Sequence, residues 1–228
     1  YNITARINVN KDNVSIRGNS NATVLKRMWN SSFSEGVITL TSVEGCRVEN
    51  LQIDGNKAIY TASYNYGIFL LSSSDNMVTG NTCNNNTSGI RIYSCNNNTV
   101  TGNTCNNNTS GIFLDLSSNS IIGGNTCNNN TIGINLDSSS NNNTITGNNC
   151  NNNYSGIYLC SYCNNNTITG NTYNNNSNIG IYLNSSSNNI ITGNDCNNNY
   201  SGIRLDSSSN NTIAANTCIR GTGTPENY

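Results

Sequence analysis

Residues 142–159 read NNTITGNNCNNNYSGIYL, and close copies of this stretch recur along most of the chain. The glycine that opens each copy lies at Gly80, Gly102, Gly124, Gly147, Gly170 and Gly193, and Ala215 takes its place in a final copy. Successive copies are therefore 22 or 23 residues apart. A fixed period of this length indicates one supersecondary unit that is stacked on itself.

The residues between the apolar positions decide between the two architectures that commonly repeat at this length. A leucine-rich horseshoe needs a helix or helical turn after its strand, whereas these segments consist of Asn, Ser, Thr and Gly, which favour turns. In the copy quoted above, Ile145, Cys150, Ile157 and Leu159 are the inward positions, because their neighbours alternate outward as in strands. The sequence predicts an all-β fold, a right-handed parallel β-helix whose rungs of 22–23 residues lie about 4.8 Å apart.

The pattern divides the chain into three regions. Residues 57–219 carry the repeats, residues 1–56 form an irregular N-terminal β segment, and residues 220–228 form a short tail. We expect the N-terminal segment to cap the coil or to make a lateral contact. The tail has no amphipathic helical pattern, so we expect the last rung to expose a strand edge to which a second copy can add.

An asparagine follows each opening glycine and also follows Ala215. The column consists of Asn81, Asn103, Asn125, Asn148, Asn171, Asn194 and Asn216. Stacked side-chain amides can hydrogen-bond along such a column, and asparagine tolerates the left-handed backbone of a tight corner. We therefore predict an asparagine ladder with a structural role.

Most cysteines occupy one inward column, three residues after the opening glycine or its replacement. This column consists of Cys83, Cys105, Cys127, Cys150, Cys196 and Cys218, and Tyr173 interrupts it. Free thiols, disulfides between adjacent rungs and metal binding are the alternatives, and free thiols are favoured because cysteine packs as a small hydrophobe. The absence of histidine and of paired C-x-x-C motifs argues against a zinc or iron–sulfur site, so no metal site is predicted.

The remaining cysteines, Cys46, Cys95, Cys160 and Cys163, are candidates for cross-links between molecules. Cys95 and Cys163 take a place that serine holds in neighbouring rungs, and they lie three rungs, roughly 14 Å, apart. That distance is too long for a disulfide within one molecule. Unpaired accessible cysteines in an exported protein indicate bonds between molecules, although a local Cys160–Cys163 bridge and plain thiols are alternatives.

Two outward columns could carry a site. Asp115 and Asp137 lie on adjacent rungs and could hold Ca²⁺, but no basic residue stands in their column, so no catalytic site is predicted. The neighbouring column places Phe69, Phe113, Tyr158 and Tyr182 in an exposed stripe. Such a stripe can stack on sugar rings or pack against a second rod, and the protein contact is favoured.

Composition excludes two classes of partner. A net charge of −1 with 9% charged residues provides no basic face for a nucleic acid, and no apolar run approaches the roughly 18 residues of a membrane-spanning helix. The chain begins with Tyr1 rather than Met, which suggests that a leader was removed or that the sequence is an excerpt. Frequent Asn-x-Ser/Thr sequons favour an exported protein.

Units such as residues 142–148 and Gly156-Ile157-Tyr158-Leu159, from about residue 51 to 219, resemble the NosD-type parallel β-helix repeats. That family includes carbohydrate-active, copper-delivery-associated and envelope proteins, so the resemblance is specific for fold. Copper is disfavoured because the chain has no histidine and only Met28 and Met77. Cysteine in place of an aliphatic residue makes the chain similar to sheath proteins of methanogenic archaea, which implies an extracellular, assembled protein.

Together these features predict a structural subunit of an extracellular sheath or surface layer of the cell envelope. The subunit is expected to form a homopolymer by stacking its β-helices and by intermolecular disulfides, with cell-surface glycans as a second class of partner. It is not expected to be an enzyme. The alternative is a carbohydrate-binding or carbohydrate-cleaving β-helix module that uses the aromatic stripe together with Asp115 and Asp137.

Overall fold

The structure is a computed structural model that describes residues 1–19 and 22–220. The chain winds into a coil in which equivalent strands of successive rungs pair in parallel. Parallel crossovers of this kind are right-handed. The prediction of an all-β, right-handed parallel β-helix is confirmed, and the described residues form no α-helix. No helix among those residues is long and apolar enough to span a membrane.

Three sheets form the walls of the coil. Sheet I consists of β1 (Asn2–Ile3), β4 (Val24–Arg27), β7 (Gln52–Asp54) and β10 (Thr82–Asn84). Sheet II consists of β2 (Ile7–Val9), β5 (Glu35–Thr41), β8 (Asn65–Leu71), β11 (Ser88–Tyr93), β13 (Ser110–Asp115), β15 (Ile132–Asp137), β17 (Ser155–Leu159), β19 (Ile179–Asn184) and β21 (Ser201–Asp206). Sheet III consists of β3 (Ser15–Arg17), β6 (Arg47–Glu49), β9 (Met77–Thr79), β12 (Thr99–Thr101), β14 (Ile121–Gly123), β16 (Thr144–Thr146), β18 (Thr167–Thr169), β20 (Ile190–Thr192) and β22 (Thr212–Ala214).

The repeats stack without slipping. Ile157 of β17 pairs with Ile134 and Ile181 on the neighbouring rungs, and the same register holds along sheet II. Beyond β10, sheet I continues as single bridges, the first of which joins Thr82 to Thr104. Because a one-residue slip would turn every buried side chain outward, this register follows from the alternation of apolar and polar residues.

The core is narrow, and its glycines make room for the cysteine column. A Cβ added at Gly111 would lie 2.8 Å from the Cβ of Cys127 and 2.5 Å from the carbonyl oxygen of Gly133. Glycine is required there because the backbone of sheet II approaches the cysteines closely. The Gly-Ile pair therefore lets the thiols and the aliphatic side chains fill the same rung.

The predicted asparagine column lies at a buried corner. Asn103 donates from Nδ2 to the carbonyl of Val78 at 2.9 Å and to Oδ1 of Asn125 at 3.0 Å. Its own Oδ1 accepts the backbone N–H of Asn81 at 2.9 Å. Each amide thus ties three successive rungs together and satisfies backbone groups that the corner would leave unpaired.

Two further ladders were not predicted. One ladder consists of the third asparagine in each Asn-Asn-Asn run that directly follows the cysteine column. In this ladder, Asn108 donates to the carbonyl of Cys83 at 3.0 Å, and its Oδ1 accepts the N–H of Asn86 at 2.8 Å. A third column runs through Asn76, Asn98, Asn143, Asn166 and Asn189, with Ser120 in one place. The asparagines of these columns therefore form hydrogen bonds inside the wall of the coil.

The N-terminal region is part of the same coil. β5 pairs with β8 across the predicted boundary at residue 56, with Ile38 opposite Ile68. The first rungs of the coil thus lie before that boundary; they are longer than the repeats and lack their asparagine signature. That residues 1–56 cap the coil or make a lateral contact stays a prediction. Of the predicted tail, only Arg220 is described, and residues 221–228 lie outside the described part of the chain.

Candidate functional site

The outer face of sheet II gathers the chemically versatile side chains of the chain. Its first outward column runs Thr39, Phe69, Arg91, Phe113, Asn135, Tyr158, Tyr182 and Arg204. Its second column, two residues further along each strand, runs Thr41, Leu71, Tyr93, Asp115, Asp137, Cys160, Asn184 and Asp206. Because the strands are in register, side chains from different rungs form continuous rows along the coil.

Arg91 is the centre of this face. Its Nη2 lies 2.6 Å from Oδ2 of Asp115, and both side chains are about 15% exposed (15% and 14%). The guanidinium carbon lies 4.3 Å from the centroid of the Phe113 ring and 5.3 Å from that of Tyr66. Ion pairing and stacking together hold the planar guanidinium in one orientation.

A groove of about 270 Å³ opens beside Arg91. Its walls combine aromatic rings with hydroxyl groups, namely Ser34, Ser63, Tyr64, Tyr66, Thr87, Ser88, Arg91, Thr109, Ser110 and Phe113. The segment that precedes β8 supplies Ser63 and Tyr64, and Lys57 in the same segment donates from Nζ to Oγ1 of Thr109 at 2.8 Å. The longer rung at this level therefore builds one wall of the groove.

A stacked pair of tyrosines continues the face along the coil. The rings of Tyr158 and Tyr182 are nearly parallel, 7° apart, with centroids separated by 4.8 Å. The Tyr182 hydroxyl donates to Oδ2 of Asp206 at 2.7 Å, and this hydrogen bond raises the pKa of Tyr182. The pair continues the first outward column in line with the groove, and the guanidinium carbon of Arg204 lies 5.3 Å from the centroid of the Tyr182 ring.

One residue of the predicted exposed stripe is buried. Phe69 is only 2% exposed, because its ring packs edge-on against Tyr66 with centroids 5.3 Å apart. The expectation that Phe69 is exposed is therefore wrong. Phe113, Tyr158 and Tyr182 remain partly exposed, so the exposed part of the stripe begins two rungs later than expected, with Arg91 on the rung between Phe69 and Phe113.

The two aspartates lie on adjacent rungs as their spacing requires, with Asp115 opposite Asp137. Asp137 accepts the N–H of Ser138 at 2.7 Å; burial acts to raise the pKa of Asp137, but hydrogen bonds from Ser161, Cys160 and Ser138 lower it overall. The sequence argument looked for a basic residue only within the aspartate column, and it missed Arg91, which reaches Asp115 diagonally. Calcium between the two carboxylates stays a prediction.

The cysteine column is enclosed. Cys83, Cys105, Cys127, Cys150 and Cys196 are buried, whereas Cys218 is exposed, and all ten cysteines are free thiols. The neighbouring thiols of Cys127 and Cys83, together with burial, raise the pKa of Cys105 well above its ordinary value. The buried members of the column pack against the aliphatic side chains of the core, so they serve as packing groups.

The proposed cross-link residues are mostly inaccessible. Cys46, Cys95 and Cys163 are buried, and only Cys160 is partly exposed. The expectation that this set is accessible is wrong for the three buried members. The serine column that Cys95 and Cys163 continue points into the corner, and Cys46 lies in line with the buried Asn76. Burial raises the pKa of Cys95 to about 11 and that of Cys163 to about 12.

Comparison with solved structures gives the following similarities. The A-module of the Azotobacter vinelandii mannuronan C-5 epimerase AlgE4 matches with a TM-score of 0.85 at 19% identity, covering 94% of this chain and 65% of that chain. The Dettilon tailspike protein matches with a TM-score of 0.76 at 16% identity, covering 98% and 55%. A point mutant of the periplasmic alginate epimerase AlgG matches with a TM-score of 0.66 at 16% identity, covering 85% and 67%. The chain thus spans less than two thirds of the first two structures.

These matches correct the prediction that the chain is not an enzyme, since two of the three similar proteins are named as epimerases that act on carbohydrate polymers. At identities below 20% the likeness itself shows the fold alone. No curated protein matches the chain. A family model described as "Periplasmic copper-binding protein (NosD)" matches residues 3–179 and 163–223. The chain therefore belongs to the NosD family of parallel β-helix proteins, as the repeat pattern indicated.

Proposed function

We propose that the outer face of sheet II binds an extended carbohydrate chain. The observation that carries this proposal is the alignment of the Arg91–Phe113 groove with the stacked Tyr158–Tyr182 pair along one flat sheet. Flat aromatic rings present a large apolar surface at a small entropic cost, and they suit the C–H face of a sugar ring. Phe113 and Tyr182 lie three rungs apart, about 14 Å, which favours a run of sugars over a single one.

Polar groups stand beside the rings where sugar hydroxyls would lie. Thr87, Ser88, Thr109 and Ser110 line the groove, and each hydroxyl can both donate and accept. Asp137 contributes an ionised acceptor at the middle of the face, where a charge-assisted hydrogen bond to a sugar hydroxyl is stronger than a neutral one. A few oriented polar groups on an apolar floor are typical of ligand sites.

Binding is supported better than cleavage. A glycosidase pair needs one carboxyl group that stays protonated to act as the acid. Here Asp115 is held in an ion pair with Arg91, and the pKa of Asp137 is lowered. Support for a reaction on the bound glycan comes from the epimerases with the same fold rather than from these carboxylates.

Copper, which the family description names, does not fit the residues present. The chain contains no histidine, and the described residues contain no group of three or more His, Cys, Asp or Glu that could hold a metal ion. The thiols of Cys83, Cys105, Cys127 and Cys150 are soft ligands, but they are sealed in the core.

The location and the assembly of the protein have less support than the glycan-binding face. The word "periplasmic" in the family description and in the name of AlgG supports a place outside the cytoplasm. The extracellular sheath, the homopolymer and its disulfides stay predictions. Cys46, Cys95 and Cys163 are buried, so a homopolymer linked by disulfides at these residues has little structural support.

A glycan array followed by calorimetry on the best oligosaccharide tests the proposal. Phe113→Ala and Tyr182→Ala should each weaken binding by about threefold to tenfold, because each removes one stacking ring. Ile190→Ala is the matched control, since it removes an exposed apolar side chain from β20 on sheet III. Equal loss in the control, or no loss in the two aromatic variants, would reject the face as the binding site.

A further inference from the structure

We infer that this face takes an uncharged glycan and discriminates against polyuronates. The inference rests on the proposed function and names the class of ligand. It follows from the way in which the charges of the face are paired. A polyuronate carries one carboxylate on every sugar, so its binding requires free cations along the path of the polymer.

Both arginines of the face are already neutralised. Arg91 lies 2.6 Å from Asp115, and Arg204 lies 2.7 Å from Asp206. Asp137 has no arginine or lysine within ion-pairing distance among the described residues, and its oxygens accept hydrogen bonds instead. Two arginines against three aspartates leave the outer columns of β11 to β21 with one net negative charge, located between the groove and the tyrosine pair.

Cations on the neighbouring elements lie away from Asp137. Lys57 donates to the neutral hydroxyl of Thr109, next to the start of β13, whereas Asp137 is the last residue of β15; Asp54 is paired with Lys26 at 3.8 Å. Arg27 is fully buried, and its guanidinium donates to Ser31, to the carbonyl of Glu35 and to the carbonyl of Tyr66. Arg6 lies 3.8 Å from the Glu35 carboxylate. Arg6 and Arg27 both face Glu35, so of these three cations it is Lys57, at the edge of the groove, that no carboxylate among the described residues pairs.

An uncharged sugar uses the same groups well. Its hydroxyl or N-acetyl N–H groups can donate to the Asp137 carboxylate, and its apolar face can lie on Phe113 and on the tyrosine pair. A polyuronate would instead place its carboxylates next to Asp137, and like charges at such short range are unfavourable. The affinity for a neutral glycan should also be nearly independent of ionic strength. Polyuronate binding that is opposed by Asp137 would strengthen as salt screens the repulsion, whereas polyuronate binding held by free cations would weaken.

The test measures the binding of hexasaccharides of glucose, mannose, N-acetylglucosamine and mannuronate by calorimetry at low and high salt. The wild type should bind at least one neutral hexamer at least tenfold more tightly than the mannuronate hexamer. Asp137→Asn should raise the affinity for the mannuronate hexamer about threefold to tenfold, since it removes the unpaired negative charge. Asp75→Asn is the control, because this exposed aspartate lies in a corner outside the outer columns of sheet II.

The outcomes separate the two proposals. Mannuronate binding that equals or exceeds neutral binding and falls with salt would overturn the inference while leaving the glycan-binding face in place. An Asp75→Asn effect equal to that of Asp137→Asn would also overturn it, because the discrimination would then come from net charge alone. Absence of binding to all four hexamers and to the glycan array would reject the proposed function and this inference together.

Discussion

Removal of one amide from the central asparagine ladder should cost far more stability than the loss of a surface asparagine. Asn148 is buried; its Nδ2 donates to the carbonyl of Ile122 at 2.8 Å and to Oδ1 of Asn171 at 2.9 Å. Its Oδ1 accepts both the backbone N–H and the Nδ2 of Asn125, each at 2.9 Å. The Asn148→Ala variant removes all of these bonds from a site that water does not reach.

The magnitude follows from the groups that are left without a partner. Nδ2 of Asn125 keeps its bond to Val100, and Oδ1 of Asn171 keeps the N–H of residue 148. The N–H of Asn125 is left unsatisfied, which costs about 1–3 kcal/mol for a buried group. The carbonyl of Ile122 stays paired in the β14–β16 ladder, so loss of its bond and of the bond to Asn171 costs about 0.5–1.5 kcal/mol each. We therefore expect the free energy of unfolding to fall by about 3–4 kcal/mol, which is large for one substitution.

Urea-induced unfolding followed by far-ultraviolet circular dichroism measures this change. The matched control is Asn96→Ala, because Asn96 is exposed on a corner of the same coil and bonds to neighbouring side chains through its backbone, which alanine keeps: its N–H donates to Ser74 and its carbonyl accepts from Asn98. The control should change the free energy of unfolding by less than about 0.5 kcal/mol. A loss below about 1 kcal/mol in Asn148→Ala would refute the idea that buried amides hold the rungs together.

The remaining predictions concern packing, thiol access and pH. Gly111→Ala should lower the free energy of unfolding by about 1–3 kcal/mol, since the new Cβ would lie 2.5 Å from the carbonyl oxygen of Gly133; wild-type stability in the same urea titration would contradict the close approach. Alkylation of the native protein followed by mass spectrometry should modify Cys218 and, more slowly, Cys160, whose pKa burial raises to about 12; rapid labelling of all ten thiols would contradict an enclosed core. The pKa of Asp137 is lowered in the folded state, so its contribution to stability is present above the unfolded pKa of about 3.9 and is lost as pH falls through the folded value. In acid denaturation between about pH 4 and pH 2, the wild type should therefore lose more stability than the Asp137→Asn variant. Identical profiles would contradict the lowered pKa.

The coil can be predicted from the sequence alone because the 22–23-residue period and the alternation of apolar and polar residues indicate the same rung in every copy. It does not distinguish the three asparagines of an Asn-Asn-Asn run, since all three are the same residue. The structure separates them through the left-handed backbone of the middle one, with φ of +57° at Asn152, which turns the next residue, Asn153, into the wall. The amino-acid composition therefore could not predict which of these amides are buried.

The candidate site was only partly predictable for a different reason. Column analysis follows residues that stack directly, and it found the aromatic stripe and the aspartate pair. The ion pair of Arg91 with Asp115 runs diagonally between two columns, so direct stacking does not reveal it. Phe69 obeys the pattern but is covered by Tyr66, which enters from the irregular start of β8.

The crystal structure of the protein with a bound neutral hexasaccharide, selected by the array, tests the central claim most directly. Our account predicts sugar rings lying along sheet II, stacked on Phe113 and on the Tyr158–Tyr182 pair, with a hydroxyl or N-acetyl group directed at Asp137. Sugar rings that instead lie on sheet III, or on the asparagine corners of the coil, would contradict it.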